Sequence, residues 1–323
     1  MSAQTAATRR ENPLARIDVR SYGIVISFLV LFVGLSFASD KFLTTRNLLN
    51  ILDQSAPVGI VACGVTIGII AGVFDLSVGA IFGVAAVVAA KTVVATGNPF
   101  VGIVVGMASG ALLGLVNAAL VGTLRINSFI ATLASSIVFR GIAILVTGGM
   151  IVTVTDDVFS ELGRGTFLGA KYTVFVYIAI ILLTSFLLEK TALGRYFFAV
   201  GGNPEAARLS GIPVERVRAA AFVISGTCAS IAGVLAASRT SSAQPDLGIG
   251  LELSAIAAAV VGGTSIMGGE GAIWRAVLGV LILAMIGNGF NLLGIDTIYQ
   301  QIVQGVLIVI AVGADQLLRR RRR

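Results

Sequence analysis

Histidine is absent from this sequence of 323 residues, which also contains only two cysteines and one tryptophan. The chain therefore lacks the side chain that most often serves as a general base or as a metal ligand. Cys63 and Cys228 both fall inside apolar segments, where a free cysteine behaves as a small packing residue. We expect no disulfide framework and no metal site.

Reaction machinery is also missing from the sequence. No G-x-x-x-x-G-K-[ST] loop is present that could hold nucleotide phosphates. No serine, aspartate or glutamate stands in a spacing typical of a nucleophile with its base. We therefore expect a protein that is not an enzyme, with no catalytic residues and no cofactor bound by the chain itself.

Charge is scarce: 12% of the residues are charged and 56% are hydrophobic, a composition that excludes an ordinary soluble domain. A helix needs about 20 apolar residues to cross a bilayer. Ten stretches are candidates: Tyr22 to Ala38, Ala56 to Phe74, Val78 to Thr96, Phe100 to Leu124, Phe129 to Val146, Val174 to Leu188, Val217 to Ala237, Leu253 to Ile266, Ala272 to Phe290 and Ile298 to Ala314. The sequence predicts an all-α polytopic membrane protein with about ten transmembrane helices.

The eighth stretch is the weakest of the ten, because it has 14 residues and contains Gly262 and Gly263. Its alternative interpretation is a broken or re-entrant segment that neighbouring helices shelter. Lysine and arginine collect in short cytoplasmic loops. With ten spans and both termini cytoplasmic, the cytoplasmic side holds 16 of the 23 basic residues. Eight or six spans remain alternatives.

This arrangement divides the chain into a cytoplasmic tail at 1–20, a transmembrane domain at 21–315 and a basic cytoplasmic tail at 316–323. The net charge of +7 then reflects membrane orientation, and we expect membrane lipid and no nucleic acid as a partner. Lys91 and Arg140 are the main charges inside apolar spans, and we interpret both as snorkelling. No embedded carboxylate is evident, which argues against an ion-coupled carrier.

Glycines recur every four residues on the second, third and fourth spans. On the fourth they are Gly102, Gly106, Gly110 and Gly114. This spacing places them on one helix face, which predicts close helix packing.

Neutral polar side chains follow helical spacing on the later spans. They are Ser128, Thr132, Ser135 and Phe139 on the fifth span, and Asn288, Asn291, Gln300 and Gln304 near the outer ends of the last two. Uncharged amides and hydroxyls suit a neutral, hydroxyl-rich solute, so these eight residues are our candidates for a translocation path. The alternative is ordinary hydrogen bonding between helices.

The segment from Thr191 to Arg218 is a polar stretch between two apolar spans. Asn203 is suited to cap a helix that starts at Pro204, and Gly211 is suited to end it about two turns later. Glu205 and Arg208 would point outward, beside a small apolar face formed by Ala206, Ala207 and Leu209. Such a helix either docks on a partner or lies on lipid headgroups.

Several long motifs resemble the permease subunits of bacterial ATP-binding-cassette (ABC) importers for monosaccharides such as ribose, xylose, arabinose, galactose and inositol. The resemblance runs from about Phe42 to Asp315. Its motifs are FLTTRNLLNILDQSAPVGIVACG, FDLSVGAIFG, GRYFFAVGGNPEAARLSGIPVERVR, SGTCASIAGVLAASR, PDLGIGLELSAIAAAVVGGTSIMGGEGAIWRAVLG, NGFNLLGI and QGVLIVIAV. The sequence departs from the family pattern at Trp274 and Arg275, where smaller residues are expected.

The resemblance implies an importer permease fold in the bacterial inner membrane, with a second permease subunit, a periplasmic sugar-binding protein and a cytoplasmic ATPase as partners. A homodimer is the expected permease pair, and the ATPase would consume the ATP. A cytoplasmic loop at 189–216 would couple the permease to that ATPase. The residues implied for coupling are Asn203, Pro204, Glu205, Ala207, Arg208 and Gly211, with Asp75 and Glu270 as secondary contacts.

Two other functions remain open on the sequence. The permeases of branched-chain amino acid importers share the short polar helix and the glycine-rich segment after it. A self-contained secondary carrier is the third candidate. The sequence names no particular sugar.

Overall fold

The computed structural model describes residues 19–296, 298–300, 302, 303, 305, 306, 309 and 313. The N-terminal tail up to residue 18, the C-terminal tail at 316–323 and Gln304 lie outside the described residues.

Helices dominate the described part of the chain. They are α1 (Val19–Ala38), α2 (Thr45–Ile70), α3 (Val78–Thr96), α4 (Pro99–Gly122), α5 (Ser128–Thr147), α6 (Asp157–Arg164), α7 (Tyr172–Lys190), α8 (Ala192–Gly202), α9 (Pro204–Leu209), α10 (Val214–Thr240), α11 (Leu251–Val261) and α12 (Ile273–Leu292). Within this part, seven helices are long and apolar enough to cross a membrane, namely α2, α3, α4, α5, α7, α10 and α12. The mostly helical, polytopic architecture is therefore confirmed.

Three of the ten predicted spans are not among those seven helices. The apolar part of the first, Gly23–Ala38, and the whole of α11 are shorter apolar helices, and the tenth lies partly outside the described residues. With 11 residues, α11 is about 16 Å long, roughly half of a bilayer core. The non-helical segment 244–250 precedes it. The alternative interpretation of the eighth stretch as a broken segment is therefore confirmed.

Four strands of two residues each close the loops at one end of the bundle. They are β1 (Val152–Thr153), β2 (Thr166–Phe167), β3 (Ala170–Lys171) and β4 (Ser242–Ala243). β1 pairs with β4, and β2 pairs with β3, both antiparallel. The pairing of β1 with β4 joins the end of α10 to the loop after α5, so this end of the bundle is held together by backbone hydrogen bonds.

The core is built around α10, which packs against α2, α3 and α4. Every glycine of the α4 series is buried. A Cβ atom added at Gly110 would overlap the Gly226 carbonyl oxygen and the Ser230 side chain of α10, and one at Gly102 would overlap the Val93 side chain of α3. The glycine face therefore lets three helix backbones approach closely, as the spacing predicted.

We expect Gly110→Ala to lower the thermal stability of the detergent-solubilised protein. Overpacking of a well-packed interior costs about 1 to 3 kcal/mol, because the backbone of α10 has to move away. The matched control is Gly141→Ala on α5, where an added Cβ meets no atom within 4 Å. A thermal unfolding curve checks both, and equal melting temperatures for the two variants would contradict the packing argument.

Candidate functional site

The helix α9 lies between the membrane-length helices α7 and α10, and five of its 6 residues are exposed. The Asn203 side-chain oxygen accepts hydrogen bonds from the backbone nitrogens of Glu205 and Ala206, at 3.1 and 3.0 Å. Pro204 is the first helical residue, and Gly211 adopts a left-handed φ of 82° after the helix ends. Each predicted start and stop signal is confirmed, so the chain presents a rigid helix of 6 residues.

The outward face of α9 differs from the predicted one at a single residue. Glu205 and Arg208 are exposed and form an ion pair of 3.5 Å. Ala207 is 4% exposed and packs into the core, so we correct its assignment to the partner-facing surface. Leu209, which was predicted on the same apolar face, is 83% exposed. Successive side chains of an α-helix are turned by about 100°, so Ala207 points inward while Ala206 and Arg208 on either side of it are exposed.

Gly201, near the end of α8, ties α9 to the two non-helical connections at this end of the bundle. A Cβ atom there would overlap the Ile70 carbonyl oxygen, at the end of α2, and would approach the Gly269 backbone nitrogen. Gly269 itself donates to the Ile70 carbonyl over 2.9 Å. The connection from α2 to α3 and the connection from α11 to α12 therefore meet at α8, two residues before the cap of α9.

The two acidic residues of these connections occupy different environments. Glu270 is exposed near α8, in the connection from α11 to α12. Asp75 is 3% exposed and accepts hydrogen bonds from the Ser77 and Ser225 hydroxyls, at 2.6 and 2.9 Å. Burial raises the pKa of the Asp75 carboxyl, and these hydrogen bonds oppose the rise. We correct the partner contact predicted for Asp75, because its carboxylate lies inside the protein and joins the α2–α3 connection to α10.

A cavity of about 840 Å³ lies beside α9. Its charged lining residues are Arg125, Arg208, Glu215, Arg216 and Arg218. Four arginines against one glutamate make this inner basic cavity strongly electropositive. Of these arginines only Arg208 was predicted as a functional residue, because the four come from three separate segments that the fold brings together.

Known proteins are similar in sequence to this chain over most of its length. The model of a family described as branched-chain amino acid transport system / permease component matches residues 47–312. The L-arabinose ABC transporter permease protein AraH of Azospirillum brasilense is 40% identical over 301 residues, covering 93% of this chain and 89% of that protein. The ribose import permease protein RbsC of Escherichia coli K12 is 39% identical over 319 residues, covering 98% and 99%. No solved structure matches.

The chain belongs to the ABC transporter permease family. Its relatives and the seven membrane-length apolar helices in the described part of the chain make it a multi-pass protein of the inner membrane. The family resemblance seen in the sequence is thereby confirmed.

The predicted polar stripe on α5 of the permease binds the connection between α2 and α3. The Ser128 and Thr132 hydroxyls accept hydrogen bonds from the backbone nitrogens of Phe74 and Leu76, at 3.2 and 3.1 Å. Thr132, Ser135 and Phe139 are all buried. We therefore correct the assignment of these three residues to the translocation path. The alternative, hydrogen bonding between elements of the bundle, describes Ser128 and Thr132, whereas the Ser135 hydroxyl donates to the Thr132 carbonyl oxygen of its own helix. Helical spacing placed the four residues on one face but did not show what covers that face.

The predicted amide residues near the end of α12 do come together. Asn288 exchanges two hydrogen bonds with Asn47 on α2, at 3.1 and 2.8 Å. Asn288, Asn291 and Gln300 line a cavity of about 290 Å³, which also includes Gln54, Ser55 and Ser254. This amide cavity has no charged lining residue, so its polar groups match a neutral solute.

Asp53 is an embedded carboxylate that was not predicted from the sequence. Asp53 lies in α2 with its side chain 4% exposed, 2.9 Å from Lys171 and 3.2 Å from Arg239. The Thr173 hydroxyl donates to the other carboxylate oxygen. The expectation of no embedded carboxylate is wrong because the second apolar stretch was begun at Ala56, whereas α2 begins at Thr45. The ion pair with Arg239 joins α2 to α10, and the Thr173 hydrogen bond joins α2 to α7, at one end of the permease.

Arg140 does not snorkel along α5. Its Nη1 atom donates to the carbonyl oxygens of Pro245 and Leu247, each over 2.7 Å. The guanidinium therefore holds the non-helical segment 244–250 against α5. Because the segment 244–250 is non-helical, its carbonyl oxygens lack the partners that a helix would supply. Inside a membrane, donors from elsewhere in the protein must replace them. Arg140 lies more than 100 residues from Pro245 and Leu247 in the sequence, so no local pattern predicts this pairing.

Proposed function

We propose that this chain is the membrane-spanning permease subunit of an ATP-driven importer for a monosaccharide. The observation that carries the proposal is α9, an exposed and capped helix. The preceding residue Gly201 contacts the α2–α3 connection and the α11–α12 connection. Force applied to α9 by an ATPase reaches the inside of the bundle through these contacts. The chain itself supplies no ATPase site in this scheme, and ATP is used by the partner.

Transport proceeds by alternating access in this proposal. Nucleotide binding and hydrolysis in the ATPase favour one of two arrangements of the membrane helices, and the solute meets an opening on one side in each. We propose ten spans with both termini in the cytoplasm, a second copy of this chain as the other half of the path, and a periplasmic sugar-binding protein that delivers the solute. The large apolar surfaces that α4, α5 and α7 leave exposed are available for lipid and for the second copy.

The inner basic cavity indicates the side of the permease on which the ATPase binds. Arg125, Arg216 and Arg218 surround it, and Arg208 joins it to the exposed face of α9. Arginines at this edge indicate the cytoplasmic side of the membrane. Complementary charge speeds and orients association, so we propose that the ATPase presents an acidic surface around its cleft for α9.

A monosaccharide fits better than a branched-chain amino acid, although the description of the matching family names the latter. Relatives named for arabinose and ribose cover more than nine tenths of this chain. The amide cavity offers uncharged hydrogen-bonding groups, whereas a zwitterion needs partners for two charges. Experiment distinguishes a secondary carrier from an importer subunit. If the permease were a secondary carrier, vesicles that contain it without its ATPase would still take up solute. We expect no uptake from them.

We expect Glu205→Arg and Arg208→Glu each to lower ATP-driven uptake by at least about tenfold while membrane insertion is unchanged. Both side chains are exposed, so the folded permease loses little, but a reversed charge at a docked surface repels the partner. Uptake of radiolabelled sugar into vesicles with the cognate ATPase and binding protein measures the effect.

The matched control for these variants is Asp157→Arg, which reverses an exposed acidic residue in the first turn of α6. We expect uptake close to that of the unchanged permease. If both α9 variants transported normally, α9 would not be the coupling helix.

A further inference from the structure

The inner basic cavity lies where three membrane-length helices begin or end. Arg125 follows the end of α4, and Ser128 is the first residue of α5. Arg216 and Arg218 lie in the first two turns of α10. Since α4, α5 and α10 are each long and apolar enough to cross a membrane, these ends lie near the phospholipid headgroups. The cavity is therefore at headgroup depth.

Three arginines of this cavity lack a counter-charge from the protein. Arg125, Arg216 and Arg218 make no ion pair and no side-chain hydrogen bond with any residue that the structure describes, and Glu215 pairs with none of them. Arg125 and Arg216 are exposed, so a ligand in the cavity can reach their guanidinium groups. Arg218 is partly buried. Like charges that converge on one cavity repel each other, so an anion bound there is stabilised by all three.

The backbone around the cavity also favours an anion. The first turn of α10, at Val214 and Glu215, lines the cavity and has no side-chain cap. The N–H groups of such a turn and the helix dipole attract negative charge. Arg125 adopts a left-handed φ of 56°, a strained conformation that recurs at ligand sites. Together with the arginines, these features suit an anion with several oxygen acceptors, such as a phosphate group.

The surroundings of the cavity indicate a lipid as the source of that phosphate. Leu124, Phe129 and Ile130, where α4 ends and α5 begins, are large apolar side chains exposed beside the cavity. Sites for organic molecules occupy about 300 to 1,000 Å³, and this cavity of about 840 Å³ has room for a whole headgroup. A phospholipid places its acyl chains next to its phosphate. A phosphate ion or an acidic protein segment would leave the neighbouring apolar surface uncovered.

We propose that the inner basic cavity binds the phosphate of an anionic phospholipid from the inner leaflet. Arg125, Arg216 and Arg218 donate hydrogen bonds to the phosphate oxygens, and the acyl chains lie against the exposed sides of α4 and α5. Basic pockets at the cytoplasmic ends of membrane helices recognise lipids in this way. Arg208 stays paired with Glu205 on the surface offered to the ATPase. The leaflet rests on the proposed orientation, whereas the site itself does not.

The test offers phosphatidylglycerol to the detergent-solubilised permease, with phosphatidylcholine of the same acyl chains as the neutral comparison. Native mass spectrometry counts the bound lipids, and a melting curve records the stabilisation that they cause. The variants are Arg125→Gln and Arg216→Gln, which remove charge, and Arg216→Lys, which keeps it. Arg195→Gln is the matched control, because Arg195 is an exposed arginine of α8 outside the cavity lining.

We expect the unchanged permease to bind phosphatidylglycerol in preference to phosphatidylcholine and to melt at a higher temperature with it, because a ligand of the folded state stabilises that state. Arg125→Gln and Arg216→Gln should each weaken this binding by about fivefold, the effect of one basic residue at an anionic membrane surface. Arg216→Lys and Arg195→Gln should each change it by less than about twofold. Without lipid, all the variants should melt as the unchanged permease does, since none of these arginines holds an ion pair among the described residues.

Equal binding of the two lipids would overturn the site, and so would unchanged binding of phosphatidylglycerol by both glutamine variants of the cavity. A loss in Arg195→Gln as large as that in Arg216→Gln would show general attraction to a basic surface instead of a site. Displacement of phosphatidylglycerol by sodium phosphate, but not by sodium chloride of the same ionic strength, would make soluble phosphate the ligand and overturn the lipid source. These measurements involve no transport, so they stand apart from the test of the proposed function.

Discussion

ATP-driven uptake should fall by more than about tenfold in Gly201→Ala, one of the two largest effects that we expect from a single substitution. The added methyl group would overlap the Ile70 carbonyl oxygen and approach the Gly269 nitrogen. Overpacking against backbone costs about 1 to 3 kcal/mol and cannot be relieved by a rotamer change, so α8 must move. Since only Asn203 separates α8 from α9, we expect the surface offered to the ATPase to move with α8.

Gly202→Ala is the matched control, because an added Cβ at Gly202 meets no atom within 4 Å. Alanine favours a helix over glycine by up to about 1 kcal/mol, so this variant should be at least as stable as the unchanged protein. Uptake and ATPase activity of both variants in vesicles measure the effect. Normal uptake by Gly201→Ala would show that the contact of α8 with the two connections does not carry the coupling.

Removal of the embedded carboxylate in Asp53→Ala should cause the second large effect, a loss of stability. Breaking a buried ion pair by removing one partner costs roughly 3 to 5 kcal/mol. Lys171 and Arg239 have side chains about one-third exposed, at 36% and 32%, so water relieves part of their unpaired charge and the lower end of that range applies. The three elements that Asp53 joins should then separate more readily at this end of the bundle.

The melting temperature in detergent checks this expectation, with Asp40→Ala as the control. Asp40 is an exposed acidic residue at the same end of α1 and α2 and makes no ion pair among the described residues. We expect its removal to leave the melting temperature nearly unchanged. An Asp53→Ala protein as stable as the control would mean that Lys171 and Arg239 are neutralised without Asp53.

The α2–α3 connection and the α11–α12 connection link α8 to the membrane helices. Asp75 accepts a hydrogen bond from Ser225 on α10, and the backbone nitrogens of Phe74 and Leu76 in the same connection donate to hydroxyls of α5. The opposite connection joins it through the hydrogen bond from Gly269 to Ile70. We therefore expect a displacement of α8 to reach α2 through the close contact at Gly201, and α5 and α10 through these hydrogen bonds. Rigid, packed contacts of this kind favour a change between discrete arrangements.

Features governed by local physics could be predicted from the sequence. The cap at Asn203 and the left-handed stop at Gly211 depend on neighbours within a few residues, and both were found as predicted. The membrane helices follow from the length of apolar segments, and the glycine face of α4 follows from a spacing of four. Even the weakness of the eighth span was visible in its length and its glycines.

The sequence alone determined the family, the membrane-spanning helices and the small exposed helix α9, because each rests on a pattern within one stretch of chain. Only the tertiary structure decided which neighbour covers each polar face. Asp53 meets Thr173 across 120 residues, Arg140 meets Leu247 across 107, and the stripe on α5 faces inward. Periodicity shows which side chains share a helix face, whereas the partner of that face is fixed by the packing of all the helices together.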